Sequence, residues 1–154
     1  MSHSRLNRRL FISLLASVSV APAKAFAASP LVTVHKDPDC GCCTGWVSHL
    51  ETQGFQTKTI ETREINRVKA RLGVPKDLWA CHTGEVGGYV IEGHVPAASI
   101  QKLLRERPRA KGLAVPGMPS GSPGMTGDPE EYEVTLFGAG ERRSYGKFKG
   151  DKEA

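Results

Sequence analysis

The sequence has no apolar run long enough to span a bilayer, and beyond its first 27 residues it has no large excess of basic charge. The longest apolar run covers residues 10–21, well short of the roughly 20 residues that a membrane helix needs. Four of the 21 basic residues precede Ala28, and all 16 acidic residues follow it, so residues 28–154 are close to neutral. The one short basic stretch there, Arg105 to Lys111, is interpreted as a solvated helix end. Such a chain is not expected to form a nucleic-acid groove.

Residues 1–27 have the anatomy of a secretory signal. A basic segment precedes the apolar run, and small residues at Ala23, Ala25 and Ala27 offer cleavage sites. The stretch Asn7 to Ile12 contains paired arginines and resembles a twin-arginine export signal, with an ordinary export signal as the alternative. We therefore expect a cleaved signal over 1–27, and a single exported domain over 28–154 that is periplasmic and has no membrane span.

Hydrophobic periodicity predicts an α/β domain. Strands and helices alternate as β-α-β-α at the start, followed by a β-hairpin, another helix and a C-terminal β-hairpin. The predicted segments are Leu31 to His35, Cys43 to Leu50, Phe55 to Ile60, Ile65 to Leu72, Cys81 to Ile91 with a turn at Gly84 to Gly88, the helix after Pro96, and Tyr132 to Phe148 with a turn at Gly138 to Gly140. Between the last helix and the last hairpin, Gly112 to Asp128 is predicted to be a long Gly/Pro-rich loop.

The chemistry-bearing residues begin at Cys40-Gly41-Cys42-Cys43. This cluster lies at a predicted strand-to-helix junction, where backbone N–H groups and the helix dipole favour thiolates. Cys40 and Cys43 form a C-x-x-C redox pair, whereas Cys40 and Cys42 form a C-x-C chelate. Cys81, the fourth cysteine, is followed by His82, which adds a nitrogen donor. Two structural disulfides are the alternative in an oxidising compartment, although a Cys42–Cys43 bridge would be strained.

The loop carries a second source of sulfur. Met118 and Met125 flank a near-palindromic stretch and are the only methionines after Met1. Thioether sulfur suits Cu(I) and few other biological ions. The alternative is that both side chains fill gaps over an apolar patch.

The histidines differ in how well each is placed to bind a metal at the cysteine cluster. His94 follows a predicted strand and would point into the cysteine cluster or cap the turn. His49 lies about two helical turns beyond Cys42, too far to share one metal, and is interpreted as a surface residue. His35 ends the first strand and is either a ligand or an exposed edge residue.

Four blocks of the sequence together resemble the CopG-like family of periplasmic metal-binding proteins, and the resemblance extends over nearly all of residues 28–154. The blocks are Cys40 to Cys43, Cys81 to Thr83, Gly88 to Pro96 and Gly112 to Met125. The resemblance implies a thioredoxin-like fold, periplasmic export, and a part in copper resistance through a thiolate-rich copper site, with redox activity as an option.

The residues favour the same metal independently, because several thiolates, a histidine and two thioethers form a soft donor set. The leading hypothesis is a Cu(I) site formed by Cys40, Cys42, Cys43 and Cys81, with His82 or His94 as nitrogen ligands. Met118 and Met125 would gate or deliver the ion, and an unknown periplasmic protein would donate or accept it.

Three alternatives remain open at this point. Zinc could bind a Cys₃His or Cys₄ set, but would leave one cysteine and both methionines without a role. A thiol–disulfide oxidoreductase would use Cys40 as the attacking thiolate and Cys43 as the resolving thiol. Against it, Pro96 precedes a predicted helix, where a trans proline is expected. The third alternative is a disulfide-stapled domain that binds another protein through its loop.

Overall fold

The computed structural model describes residues 29–138 and 140–154. The proposed signal over 1–27 and Ala139 of the predicted Gly138 to Gly140 turn lie outside the described residues. Within them, no helix is both long and apolar enough to cross a membrane. The elements in chain order are β1 (Leu31–Lys36), α1 (Gly41–Thr52), β2 (Gln56–Glu61), α2 (Ile65–Arg71), a 3-10 turn (Lys76–Leu78), β3 (His82–Val86), β4 (Tyr89–Gly93), α3 (Ala97–Glu106), β5 (Gly112–Val115), β6 (Glu131–Gly138), β7 (Glu141–Lys149) and β8 (Lys152–Glu153).

All eight strands belong to one mixed sheet, in the order β2-β1-β3-β4-β5-β6-β7-β8. The β1/β2 and β4/β5 pairs are parallel, and the remaining pairs are antiparallel. Each parallel pair is joined through a helix, α1 for the first and α3 for the second, as a parallel crossover requires. The prediction of an α/β fold with a β-α-β-α opening is therefore confirmed.

Both faces of the sheet are buried at its central strands, because sequence neighbours on these strands join different hydrophobic clusters. Ile91 and Leu113 pack with α1 and α3 on one face. Val90 and Ala114 pack on the other face, against the apolar side chains of Val74 and Leu78 from the segment after α2. Strands buried on both sides are apolar at successive positions, as in the run from Leu113 to Val115.

The helix α1 is anchored to the first face by Trp46 and Leu50, which are both fully buried. Trp46 also donates a hydrogen bond from its indole N–H to the carbonyl of Val95, at 2.9 Å, just before α3 begins. This bond satisfies the buried indole N–H and fixes α1 against the β4–α3 connection. The bond therefore holds the β1–α1 junction, which carries Cys40 to Cys43, next to the β4–α3 connection, which carries His94.

The structure corrects the predicted elements in three places. Gly112–Val115 is a buried strand, so the Gly/Pro-rich loop begins only at Pro116. Gly84 lies inside β3, where a side-chain Cβ would approach the Trp46 ring to 3.2 Å, so its role is close packing and not a turn. The two-residue strand β8 was not predicted, because so short a segment carries no period.

Candidate metal centre

The first half of the site lies where β1 gives way to α1. Asp37 terminates the strand with a turn in which its carboxylate accepts the N–H of Asp39 at 2.9 Å, and its carbonyl accepts the N–H of Cys40 at 3.1 Å. Cys40 is the N-cap of α1, and Cys42 and Cys43 lie in its first turn. The prediction that these cysteines occupy a strand-to-helix junction is confirmed.

The four cysteines form one cluster. A disulfide joins Cys40 to Cys43, whereas Cys42 and Cys81 are free. The sulfur atoms of Cys40 and Cys42 are 3.5 Å apart, and those of Cys42 and Cys81 are 3.8 Å apart. All four sulfur atoms lie within 4.8 Å of one another. A sequence separation of nearly 40 residues between Cys42 and Cys81 is thus closed by the β1–β3 pairing.

The second half of the site is a group of one sulfur and two imidazoles. Cys81 Sγ lies 3.2 Å from His82 Nδ1 and 3.2 Å from His94 Nε2. His94 Nδ1 donates a hydrogen bond of 2.7 Å to the Pro123 carbonyl, which can only accept. In the neutral ring, Nε2 is therefore free of hydrogen and faces Cys81. A ligating histidine typically has this arrangement, with its second nitrogen fixed by a carbonyl.

His82 is completely buried, and its Nε2 has no hydrogen-bond partner among the described residues. Its ring lies 4.3 Å from the Trp46 ring and 5.1 Å from the His94 ring, measured between centroids. Burial lowers the pKa of His82 well below its usual value, and the nearby His94 and Lys69 lower it further. Burial likewise lowers the pKa of His94. Both rings are therefore neutral near pH 7, the form that binds a metal.

Cys81 belongs to both halves of the site. Burial raises the pKa of its thiol to about 12, and the neighbouring Cys42 adds to this effect. Without a metal Cys81 is therefore a thiol at neutral pH, and a metal that bound it would have to displace the proton.

The Gly/Pro-rich loop covers α1 at the first half of the site. A Cβ on Gly124 would approach the backbone nitrogen of Trp46 to 2.5 Å and the carbonyl of Cys42 to 2.7 Å, so only glycine fits there. The adjacent Pro123 holds His94, as described above. Met118 is 42% exposed and has a positive φ of 48°, and Met125 is half-buried. The loop therefore joins the two halves of the site through its backbone.

The other two histidines of the described part of the chain, His49 and His35, have structural partners. His49 is not a surface residue, because its Nε2 accepts the N–H of Ala97 at 3.1 Å and so caps the start of α3. His35 is buried and pairs with Glu85 at 2.8 Å. Sequence reasoning missed the part of Pro123, because the group it contributes is a backbone carbonyl that no side-chain pattern reveals.

The donor set fits a soft metal ion. Four sulfur atoms lie in one cluster and two neutral imidazoles adjoin it through Cys81, whereas no carboxylate is part of either group among the described residues. Thiolates and imidazoles suit Cu(I) and Zn(II), while carboxylate and carbonyl oxygens suit Mg²⁺ and Ca²⁺. In a neutral imidazole one nitrogen carries the hydrogen, so His82 offers a single ligand nitrogen, either Nδ1 beside Cys81 Sγ or the buried Nε2.

Comparison with known proteins gives a consistent picture. Residues 78–125 match a family described as "Protein of unknown function, DUF411". None of the curated proteins compared with the chain matches it. Two solved structures, titled copper resistance protein CopG, form 2 and form 1, are 43% and 46% identical to the chain, with TM-scores of 0.74 and 0.72. Each alignment covers 78% of this chain and 98% of the other. The chain therefore belongs to the CopG family of copper resistance proteins.

Proposed function

We propose that the protein binds Cu(I) through Cys40, Cys42, Cys43 and Cys81, with His82 and His94 as candidate nitrogen ligands, and thereby contributes to copper resistance. The observation that carries this proposal is the convergence of four sulfur atoms within 4.8 Å of one another. The similarity to the solved structures of copper resistance protein CopG adds support. Copper is the cargo here, and tolerance would follow from sequestration or from transfer to a periplasmic donor or acceptor protein.

Cu(I) is preferred to zinc because of the number of soft donors. A tetrahedral zinc site needs only four ligands. Here four sulfur atoms form one cluster, and Cys81 connects this cluster to two imidazoles as well, so more donors are present than one zinc ion can use. Thiolates can bridge several Cu(I) ions, so a cluster of this size has a use for every donor. Zinc remains the second candidate ion.

The redox state of the cysteines controls how many of them are available. Cys40 and Cys43 form a disulfide, and a thiol or another reductant must supply two electrons to break its S–S bond before both can bind copper as thiolates. Cys42 and Cys81 are free without that step. We therefore expect the reduced protein to bind more copper than the oxidised protein.

Met118 and Met125 are proposed to gate or deliver the ion. The loop between them lies against the first turns of α1 at Gly124, and Met118 is 42% exposed. An exposed thioether on a loop that contacts the start of α1 would offer Cu(I) a weaker site on its way in.

A thiol–disulfide oxidoreductase is the second candidate function, and the Cys40–Cys43 disulfide favours it. In this reaction the Cys40 thiolate attacks a substrate disulfide and forms a mixed disulfide. The Cys43 thiol then displaces the substrate as a dithiol and leaves the Cys40–Cys43 disulfide. Reduction of a model protein disulfide by the reduced, metal-free protein, abolished in Cys40→Ser, would establish it.

The cellular setting is also a proposal. We propose that residues 1–27 are a cleaved export signal, of the twin-arginine type, and that residues 28–154 form one periplasmic domain of thioredoxin-like type. The family of the chain and the signal anatomy support this. N-terminal sequencing of the protein from the periplasmic fraction should begin near Ala28, and an uncleaved Met1 in the cytoplasm would contradict it.

The direct test is an anaerobic titration of reduced residues 28–154 with Cu(I) and, separately, with Zn(II), against a competing chelator, followed by native mass spectrometry. The proposal predicts tight copper uptake that is lost in Cys42→Ser/Cys81→Ser, and weaker zinc uptake. A Thr44→Ser variant in the same turn of α1, at an exposed position, is the matched control. Copper uptake that is the same in the double variant as in the control would refute the assignment.

A further inference from the structure

Beneath the Cys81 half of the site lies a buried ion pair that the proposed copper chemistry does not use. Lys69 is 1% exposed and Glu92 is fully buried, and the Lys69 ammonium lies 2.5 Å from Glu92 Oε1. Every residue of α2 is described, and Lys69 is the one that is buried. The sequence pattern of Ile65, Val68 and Leu72 gave no indication that a lysine would face the sheet.

The pair belongs to a closed hydrogen-bond network on the α2 face of the sheet. Thr83 donates to Glu92 Oε2 at 2.6 Å and accepts from Lys69 at 2.9 Å. Glu92 Oε1 also accepts the backbone N–H of Ala80 at 2.6 Å. Every polar side-chain atom of the three residues therefore has a partner, which is the condition for a buried polar network to hold one conformation.

The network grips the backbone on both sides of Cys81 and His82. Ala80 immediately precedes Cys81, Thr83 immediately follows His82, and neither Ala80 nor Cys81 lies in a strand. The carboxylate of Glu92 thus supplies the partner that a strand would otherwise provide for the Ala80 N–H. A second contact acts at the same point, because a Cβ on Gly93, the residue before His94, would approach the Ala80 Cβ to 2.7 Å.

Stability alone does not account for a charged pair at this place. Desolvation of two buried charges offsets much of their attraction, and well-packed apolar residues at such positions are often equally stable or more so. The contacts of the pair point instead to the segment that carries Cys81. We propose that Lys69, Glu92 and Thr83 are positioning residues that hold the Cys81–His82 segment so that Cys81 Sγ faces His94 Nε2, a role that rests on the copper function proposed above.

The hydrogen bond from the Ala80 N–H to Glu92 is here called the tether. Two double variants distinguish the effect of this tether from the effect of the two charges. Lys69→Met/Glu92→Leu removes both charges and the acceptor for the Ala80 N–H. Lys69→Met/Glu92→Gln removes both charges but keeps an amide oxygen for that N–H and an amide nitrogen for Thr83. Glu85→Gln is the control, since Glu85 lies on the same strand as Thr83 and pairs with His35, away from Cys81.

The first measurement needs no metal. In the disulfide form, the alkylation rates of Cys42 and Cys81 are compared by peptide mass spectrometry, with Cys42 as the internal reference. The leucine double variant should raise the rate at Cys81 relative to Cys42 by roughly 10-fold, the population change expected when one hydrogen bond to a charged group is lost. The glutamine double variant and Glu85→Gln should stay within about 3-fold of wild type.

The second measurement is Cu(I) affinity, which should fall by about 10-fold to 100-fold in the leucine double variant, as for other outer-shell partners of a metal site. The glutamine double variant should retain most of the affinity. Equal behaviour of the two double variants, in alkylation and in affinity, would overturn the positioning role. If wild type fails to bind copper, the proposed function fails, but the alkylation ratio still tests the tether.

If a variant does not fold, the tether can still be tested on the wild-type protein. The amide hydrogen of Ala80 should exchange with solvent at least about 100-fold more slowly than in an unstructured peptide, because its bond to Glu92 must open first. Exchange at the unprotected rate would contradict the tether directly.

Discussion

The two halves of the candidate site are built in different ways. Cys40, Cys42 and Cys43 lie within four consecutive residues at the start of α1. Cys81 and His82 are adjacent at the start of β3, His94 directly follows β4, and both imidazoles are completely buried. The first half needs a helix to begin at one place, whereas the second needs a strand pairing, a loop carbonyl and a buried carboxylate. Local sequence provides three of the cysteines, and tertiary structure provides Cys81 and the nitrogen donors.

The largest expected effect comes from the residue that the two halves share. Cys81→Ser should weaken Cu(I) binding by more than about 100-fold, beyond the range for outer-shell partners, because it removes a donor from both groups. Cys40→Ser, which removes a donor from one group only, should weaken it less. Competition titration of the two reduced variants measures the difference. Equal losses would mean that Cys81 does not link the halves.

The loop that joins the halves can be disturbed without touching a candidate ligand. Gly124→Ala places a Cβ 2.5 Å from the Trp46 nitrogen and should lower the free energy of unfolding by about 1–3 kcal/mol. It should also loosen His94, since Pro123 would move with it. Gly117→Ala is the matched control, because Gly117 has a similar positive φ of 82° but no atom near its Cβ position. Thermal unfolding and copper affinity of the two variants give the comparison, and equal values would show that the loop contact is unimportant.

Reduction of the Cys40–Cys43 disulfide should change the number of Cu(I) ions bound, because it frees donors in the first half of the site only. With the Cys40–Cys43 disulfide intact, copper can use only Cys42, Cys81 and the imidazoles, and reduction should increase the number of bound Cu(I) ions. Native mass spectrometry of both forms measures this number. A stoichiometry that does not change on reduction would exclude Cys40 and Cys43 as ligands.

The smallest effect on copper binding is expected when the two methionines are replaced. Met118→Leu/Met125→Leu keeps the side-chain volume and should slow Cu(I) uptake by a few-fold, with equilibrium affinity nearly unchanged, because thioethers are offered as transient ligands. Stopped-flow transfer from a Cu(I)–chelator complex measures the rate. Unchanged kinetics would leave both residues with a packing role.

Sequence reasoning was most successful where the information is local. The period of three to four residues through Cys43, Trp46 and Leu50 predicted α1, and the cysteine spacing predicted a cluster at its start. It failed at Gly112–Val115, where Gly and Pro on the C-terminal side suggested a loop, although burial on both faces makes this segment a strand.

The second half of the site was less accessible to prediction. His94 had two interpretations from the sequence alone, and the Pro123 carbonyl, 29 residues away, decides which way its ring nitrogen faces. The sequence likewise offered no reason to pair Lys69 with Glu92, because no short-range pattern connects α2 to β4. Such contacts arise from the sheet order, which is a property of the whole chain.

X-ray absorption at the copper edge of the Cu(I)-loaded, reduced protein tests the central claim most directly. A first shell dominated by sulfur, with a nitrogen contribution that decreases in His94→Ala, is the predicted result. A first shell of nitrogen and oxygen alone, or one that is unchanged in Cys42→Ser/Cys81→Ser, would contradict a copper site built on these cysteines.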